Sequence, residues 1–110
     1  MKREFTCVSP YNPDFDGSRV HVYDSTLRDG EQMPGVAFSR EEKLAIARAL
    51  DDARVPEIEA GFPSVSASEF QSIKAILDMD MDADISVLCR CCEPDLDKVR
   101  QLDVDLVMLF

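Results

Sequence analysis

Positive charge is scarce in this chain: 12 lysines and arginines stand against 22 aspartates and glutamates, a formal net of −10. A nucleic-acid partner needs clustered Lys and Arg to displace counterions from phosphates, and an anionic bilayer surface draws on the same groups, so the balance argues against both. Long apolar runs are missing too. None reaches the roughly 18 residues of a membrane-spanning helix, and Met1-Lys2-Arg3-Glu4-Phe5-Thr6 lacks the apolar centre of a secretory signal. The expectation is a cytoplasmic protein with reduced thiols. Cysteine is sparse, and only Cys89, Cys91 and Cys92 lie close together. Adjacent Cys91 and Cys92 cannot readily face one ion, so small apolar packing is expected in place of a zinc or iron–sulfur site. Length is the last shortage: 110 residues bound the chain to one small domain with a modest core.

The acids that are present run along the whole chain and form no tail, which reads as a solvated surface. Asp well outnumbers Lys, a balance that would suit a salt-adapted source. Residues 1–18 carry Pro10, Pro13 and Gly17 without hydrophobic periodicity and read as a flexible N-terminal arm. From residue 19 the pattern alternates. A strand is expected over residues 20–24, then a helix opened by Ser39 with Glu42 three residues on, the spacing of a capping box. Behind it Leu44, Ile46, Ala47, Leu50 and Ala53 share one helical face. Glu57-Ile58-Glu59-Ala60 reads as a second strand, and Ser66 or Ser68 as the cap of a second helix with Phe70, Ile73, Ile76 and Leu77 on its apolar side. Ile85–Cys89 is the third strand, residues 93–102 a third helix with Pro94 in its first turn, and Asp105–Phe110 the fourth strand. Strands alternating with helices at this spacing predict βαβ units and a parallel sheet.

The informative run is Asp24-Ser25-Thr26-Leu27-Arg28-Asp29-Gly30-Glu31-Gln32, at the C-terminal end of the first strand, where α/β proteins gather their chemistry. Arg28 offers a fixed cation for a developing oxyanion, and Asp29 a hard oxygen ligand for a divalent metal. Gly30 is expected to let the backbone turn away at once. A strand-end turn with a surface ion pair accounts for the same residues at little energetic consequence.

This nonapeptide resembles the first-strand signature of the metal-dependent TIM-barrel acyltransferases and lyases. Members include 2-isopropylmalate synthase, homocitrate synthase, citramalate synthase and, more distantly, hydroxymethylglutaryl-CoA lyase. Ile58-Glu59-Ala60-Gly61-Phe62-Pro63 is similar to the second-strand block of the synthase branch, and Phe38-Ser39-Arg40-Glu41-Glu42-Lys43 to the start of the helix between. The resemblance implies that residues 19–110 are the N-terminal portion of a pyruvate-carboxyltransferase-like catalytic domain, three to four βα units of a (β/α)8 barrel. It further implies a reaction in which acetyl-CoA condenses with a 2-oxo acid, as in amino-acid biosynthesis, with a divalent cation (Mg, Mn or Zn) as cofactor. Glu59-Ala60-Gly61-Phe62-Pro63 leans towards isopropylmalate synthase and leucine biosynthesis, and Gly35-Val36-Ala37-Phe38-Ser39 towards homocitrate synthase. The lyase branch lacks the Gly-Phe-Pro turn.

By resemblance, Asp29 is a ligand of the metal, Arg28 steadies the charge on the enolised acyl oxygen, and Gln32 lies beside the substrate's polar groups. Glu59 belongs to the same site. A carboxylate between Ile58 and Ala60 must find a partner, because burying a lone charge is costly, and Arg28 on the adjacent strand is the natural one. An ion pair of purely structural purpose fits the same two residues. Arg90, at the end of the third strand, faces either an anionic substrate or solvent. The family completes its metal site with a His-x-His pair from a late strand. His21 is the single histidine, at the opposite end of the first strand, and is not expected to be a ligand.

A closed barrel takes about 250 residues, so a chain of this length is expected to be inactive alone. Four strands would leave two edges open, and such a piece should pair with another chain, self-associate or stay partly unfolded. The expectation is therefore a fragment of an acyltransferase, with a remnant or a docking module for a longer relative as the rival. One local departure stands out. The family commonly has Gly after the first helix, where this chain has Arg54; in a left-handed conformation Arg costs about 1 kcal/mol there.

Overall fold

A computed structural model describes residues 20–110, so the expected arm at residues 1–18 lies outside the described residues. The elements are β1 (Tyr23–Asp24), α1 (Arg40–Asp52), β2 (Glu57–Glu59), α2 (Ala67–Leu77), β3 (Asp84–Cys89), α3 (Glu93–Val99) and β4 (Leu106–Leu109), with a short 3-10 turn at Gly30–Gln32 between β1 and α1. The four strands form one parallel sheet in chain order, β1-β2-β3-β4. That order never reverses, so the sheet has no switch point of the doubly wound kind.

Local chemistry sets the element ends. Ser39 Oγ accepts from the Glu42 N–H at 3.2 Å while the Glu42 carboxylate accepts from the Ser39 N–H at 2.7 Å, the reciprocal box its spacing predicts. Helix α1 ends at Ala53, and Arg54 follows at φ 60°. The Arg54 N–H reaches Asp51 O and the Val55 N–H reaches Leu50 O, the paired bonds of a Schellman motif built without glycine. Asp51 then joins two elements: its Oδ1 accepts from the N–H groups of Asp82 and Ala83 just ahead of β3. Ser66, and not Ser68, caps α2.

Strand β2 falls short of its expected range by one residue and β4 by one at each end, and two elements, β1 and α3, are shorter by three. Only Tyr23 and Asp24 pair as β1; Val20 and Val22 are exposed. The register that sets Tyr23 opposite Glu57 would put Val22 opposite Pro56, which has no N–H to give a ladder. Helix α3 stops at Val99, and the chain closes with i→i+3 bonds from Gln101 and Leu102. Such tightening of a last turn satisfies carbonyls that the helix leaves free.

The core lies on one face of the sheet. Ile58, Ile85, Val87 and Cys89 point the same way by register and alternation, and they cluster with Ala47 of α1, Ile73 and Ile76 of α2 and Val99 of α3. All three helices therefore cover that face. The opposite face carries Tyr23, Glu57, Glu59 and Ser86, polar groups that no described helix covers. At the far edge Leu106, Val107, Met108 and Leu109 of β4 are exposed, as is Phe110.

Candidate functional site

The turn after β1 is a compact knot. Asp24 Oδ1 accepts from the Thr26 N–H, and Ser25 O accepts from the N–H groups of Arg28, Asp29 and Gly30 at 3.2, 2.8 and 3.2 Å. Leu27 is fully buried and anchors the knot to the core. Gly30 does not turn the chain in the way its position predicts. It is absent from the positive-φ glycines, Gly35 and Gly61, and a side chain added there would meet Thr26 Cγ2 at an ordinary 3.5 Å. The turn is made by carbonyl sharing at Ser25.

From this knot Arg28 reaches across to β2. Its Nε donates to Glu59 Oε2 at 2.9 Å, and its Nη1 lies 3.2 Å from Asp29 Oδ1. Arg28 keeps 22% of its side-chain surface, whereas Glu59 keeps none. Burial works against the Arg28 charge, but the bond to Glu59 and that carboxylate's charge outweigh it and hold the guanidinium above its usual range. Among the described residues, Glu59 Oε1 is buried without a hydrogen-bond partner. An orphan carboxylate oxygen of this kind is rare in folded proteins and marks a place where a donor is wanted. Tyr23, not singled out from sequence, belongs to the same group: burial first and then the Glu59 carboxylate push its phenol well up. Its alternation with Asp24 at a strand end was the available signal.

The other expected site residues separate into two groups. Gln32 lines a cavity of about 220 Å³ together with Arg28, Glu31, Phe62, Val65 and Glu69. Asp29 stands beside Arg28 with 65% of its side chain exposed. Arg90 is not among the residues lining that cavity. Its Nε and Nη2 donate to Asp95 Oδ2 and Oδ1, both at 2.8 Å, and its guanidinium sits 5.6 Å from the centre of the Phe62 ring. This fork holds the end of β3 to the first turn of α3. His21 lies at the other end of the sheet, 3.5 Å from Glu57.

Asp29 is the exposed carboxylate that this turn offers a divalent cation, while Glu59 is engaged with Arg28, and Glu31 and Glu69 with Lys43. Among the described residues no group of three His, Cys, Asp or Glu side chains converges on a point. Cys89 is buried, Cys91 exposed and Cys92 sits at the N-cap of α3. A single hard ligand does not make a metal site. Lys43, Glu31 and Glu69, which sequence reasoning did not assemble, form a second charged group at the cavity wall: Lys43 Nζ lies 2.6 Å from Glu31 Oε2 and also pairs with Glu69 Oε2.

Comparison with known proteins bears on this geometry. The family described as HMGL-like matches residues 19–110. The homocitrate synthase AksA of Methanocaldococcus jannaschii is 47% identical over 110 residues, which is all of this chain and 27% of that protein. The probable 2-isopropylmalate synthase of Methanopyrus kandleri is 50% identical over 92 residues, 84% of this chain and 18% of that protein. The homocitrate synthase AksA of Methanothermobacter thermautotrophicus is 46% identical over 106 residues, again 27% of that protein. The chain thus spans about a quarter of the length of these relatives, or less.

Proposed function

Since the chain belongs to the HMGL-like family, we propose that it supplies the first three βα units and the fourth strand of a (β/α)8 acyltransferase domain that condenses acetyl-CoA with a 2-oxo acid. Strand order supports the barrel reading: four parallel strands in chain order, helices on one face, and polar side chains on the other where a barrel keeps its interior. The observation that carries the catalytic reading is the Arg28–Glu59 pair at the strand ends, with Glu59 Oε1 left without a partner among the described residues.

In this reading Arg28 is the fixed cation for the enolate oxygen of the acyl group. It is held in place before the reaction by Glu59, so that little reorganisation is needed as charge develops. Glu59 keeps the guanidinium from swinging out to solvent, and its free oxygen accepts a hydrogen bond from the bound substrate. Gln32, on the cavity wall, meets the substrate's polar groups. Asp29 is the hard oxygen donor a divalent cation would take, one ligand of a set that the described residues do not complete. The exposed apolar edge of β4 pairs with a further strand, from the same polypeptide or another chain.

The test grafts residues 19–110 in place of the corresponding segment of the Methanocaldococcus jannaschii homocitrate synthase. The chimera should release CoA from acetyl-CoA in the presence of a 2-oxo acid and a divalent cation, with 2-oxoglutarate and 2-oxoisovalerate compared. Arg28→Ala in that chimera should lower kcat by about a hundredfold, the scale of losing one charge-stabilising donor. A folded chimera that releases no CoA would sink the proposal. The second reading, a docking module without catalysis, is favoured by the exposed β4 edge. It predicts stable assembly of the 110-residue chain onto a full-length relative with no gain in turnover.

A further inference from the structure

Lys43 stands in the first turn of α1 with 3% of its side chain exposed. Its two partners come from different elements. Glu31 belongs to the 3-10 turn, three residues past Arg28 and next to Gln32, and its other oxygen accepts from the Phe38 N–H at 3.0 Å. Glu69 is the third residue of α2, a position where a carboxylate ordinarily turns back to the N-cap N–H, as Glu42 does in α1. In α2 that return bond is not made; Glu69 reaches Lys43 instead. Gly61 makes this reach possible: a Cβ built there would fall 2.1 Å from Glu69 Oε1. Burial works against the Lys43 charge, yet the bonds from Glu31 and Glu69 prevail and hold its ammonium above the usual lysine range. Glu31 and Glu69 also line the cavity beside Arg28 and Gln32.

We infer that Lys43 is a positioning residue: through Glu31 it clamps the Arg28–Gln32 turn against α2, and so fixes the direction from which Arg28 meets Glu59. The argument is one of connectivity. Backbone bonds within the turn hold its shape but not its orientation, since those to Ser25 O and the one from the Gln32 N–H to Asp29 O all stay inside the same segment. Three links leave the segment from its side chains: Arg28 to Glu59, and Glu31 both to Lys43 and to the Phe38 N–H. Leu27 packing supplies a pivot without a direction, and Phe38 sits on the chain leading out of the turn, so without Lys43 the Arg28–Glu59 pair is the one link left to a distant element. The inference concerns the geometry of the turn and stands whether or not the acyl-transfer reading holds.

Hydrogen exchange followed by NMR tests this without any activity. In Glu31→Gln the Lys43 ammonium keeps Glu69, so the helices stay joined while the strut to the turn weakens. The Arg28 Nε–H and the Phe38 amide should then exchange about tenfold faster, with the Ile58 and Val87 amides of the core within about twofold of their original rates. Lys43→Met should show the same selectivity to a larger degree; where it fails to fold, Glu31→Gln decides. An Arg28 Nε–H whose exchange is unchanged in Glu31→Gln overturns the inference. So does one that quickens only in step with Ile58 and Val87, because that would be loss of global stability and not loss of positioning.

Discussion

Glu59 carries its carboxylate fully buried on β2 and gives one oxygen to Arg28 Nε at 2.9 Å across 31 residues of sequence, leaving the other oxygen unpaired among the described residues. The pair joins the turn after β1 to the second strand, and it concentrates charge on the sheet face that the helices leave open. Such a pair is asymmetric in its consequences. Truncating one partner strands the other in a poorly solvated place, whereas the intact pair contributes little net stability.

That asymmetry gives the first prediction. Arg28→Met, which leaves Glu59 buried and unpaired, should destabilise the fold by about 3 kcal/mol. Glu59→Gln should cost about 1 kcal/mol, since the amide oxygen still accepts from Arg28 Nε, no charge is left buried, and the part-exposed Arg28 keeps contact with solvent. Urea midpoints of the two variants, with unchanged denaturant slopes, are the measurement. Equal losses would mean that the pair behaves as a solvated surface contact.

Two glycines should respond in opposite directions. Gly61 has φ +150° and its added Cβ would collide with Glu69 Oε1 at 2.1 Å and crowd Ile73 Cδ1 at 3.2 Å. Gly61→Ala should therefore lose about 2 kcal/mol and displace Glu69 from Lys43. Gly30 has neither a positive φ nor a close neighbour. Gly30→Ala should be neutral or stabilise by about 0.5 kcal/mol through the unfolded chain. Thermal melts of both variants separate the cases; a loss at Gly30 as large as that at Gly61 would contradict the geometry.

Arg54 supports a third. Its φ of 60° at the C′ position of a Schellman motif is a conformation that suits glycine. Arg54→Gly relieves about 1–2 kcal/mol of steric cost and returns part of it as unfolded-chain entropy. The net expectation is a gain of about 0.5 kcal/mol, read as a higher urea midpoint. A lower midpoint would mean that the Arg54 side chain makes a contact worth more than its backbone strain.

Much of this was readable in the sequence where signals are local. Ser39 and Glu42 are three residues apart, and their reciprocal box forms as spacing predicts. The strain at Arg54 was visible only through the resemblance, because the family commonly has glycine there. The Arg28–Glu59 pair was also legible, since a carboxylate inside an apolar strand demands a cation and the adjacent strand offers one. Lys43 was not. It stands in a run of charges, Arg40-Glu41-Glu42-Lys43, that looks like a solvated first turn, and one of its partners lies 26 residues away. The Arg90–Asp95 fork was hidden for a related reason: Asp95 is five residues on, at a spacing that means nothing until a strand end and a helix start are brought together. Val20 and Val22 alternate like a strand, but alternation reports a face and says nothing of whether Pro56 can pair with it.

The Arg90–Asp95 fork carries the last prediction, a dependence on pH. The Arg90 guanidinium holds the Asp95 carboxyl well below the usual carboxylate range, against the opposing effect of burial. A folded-state pKa below the unfolded value of about 3.9 means that the unfolded chain binds the proton first as pH falls. The stabilisation from Asp95 is therefore fully present above about pH 5, begins to fade near pH 4 and continues to fall as pH approaches the depressed value. Glu42, held down by the Ser39 N–H and hydroxyl at the N-terminus of α1, contributes in the same direction. Asp95→Asn cannot titrate, so its urea midpoint should start lower at pH 6 and then decline less steeply between about pH 4 and pH 2 than that of the parent chain. Arg90→Gln should flatten the same limb, because the guanidinium is what depresses the acid. Parallel acid limbs in all three proteins would show that the fork is solvated, and the brace between β3 and α3 would then have to come from Val99 packing alone.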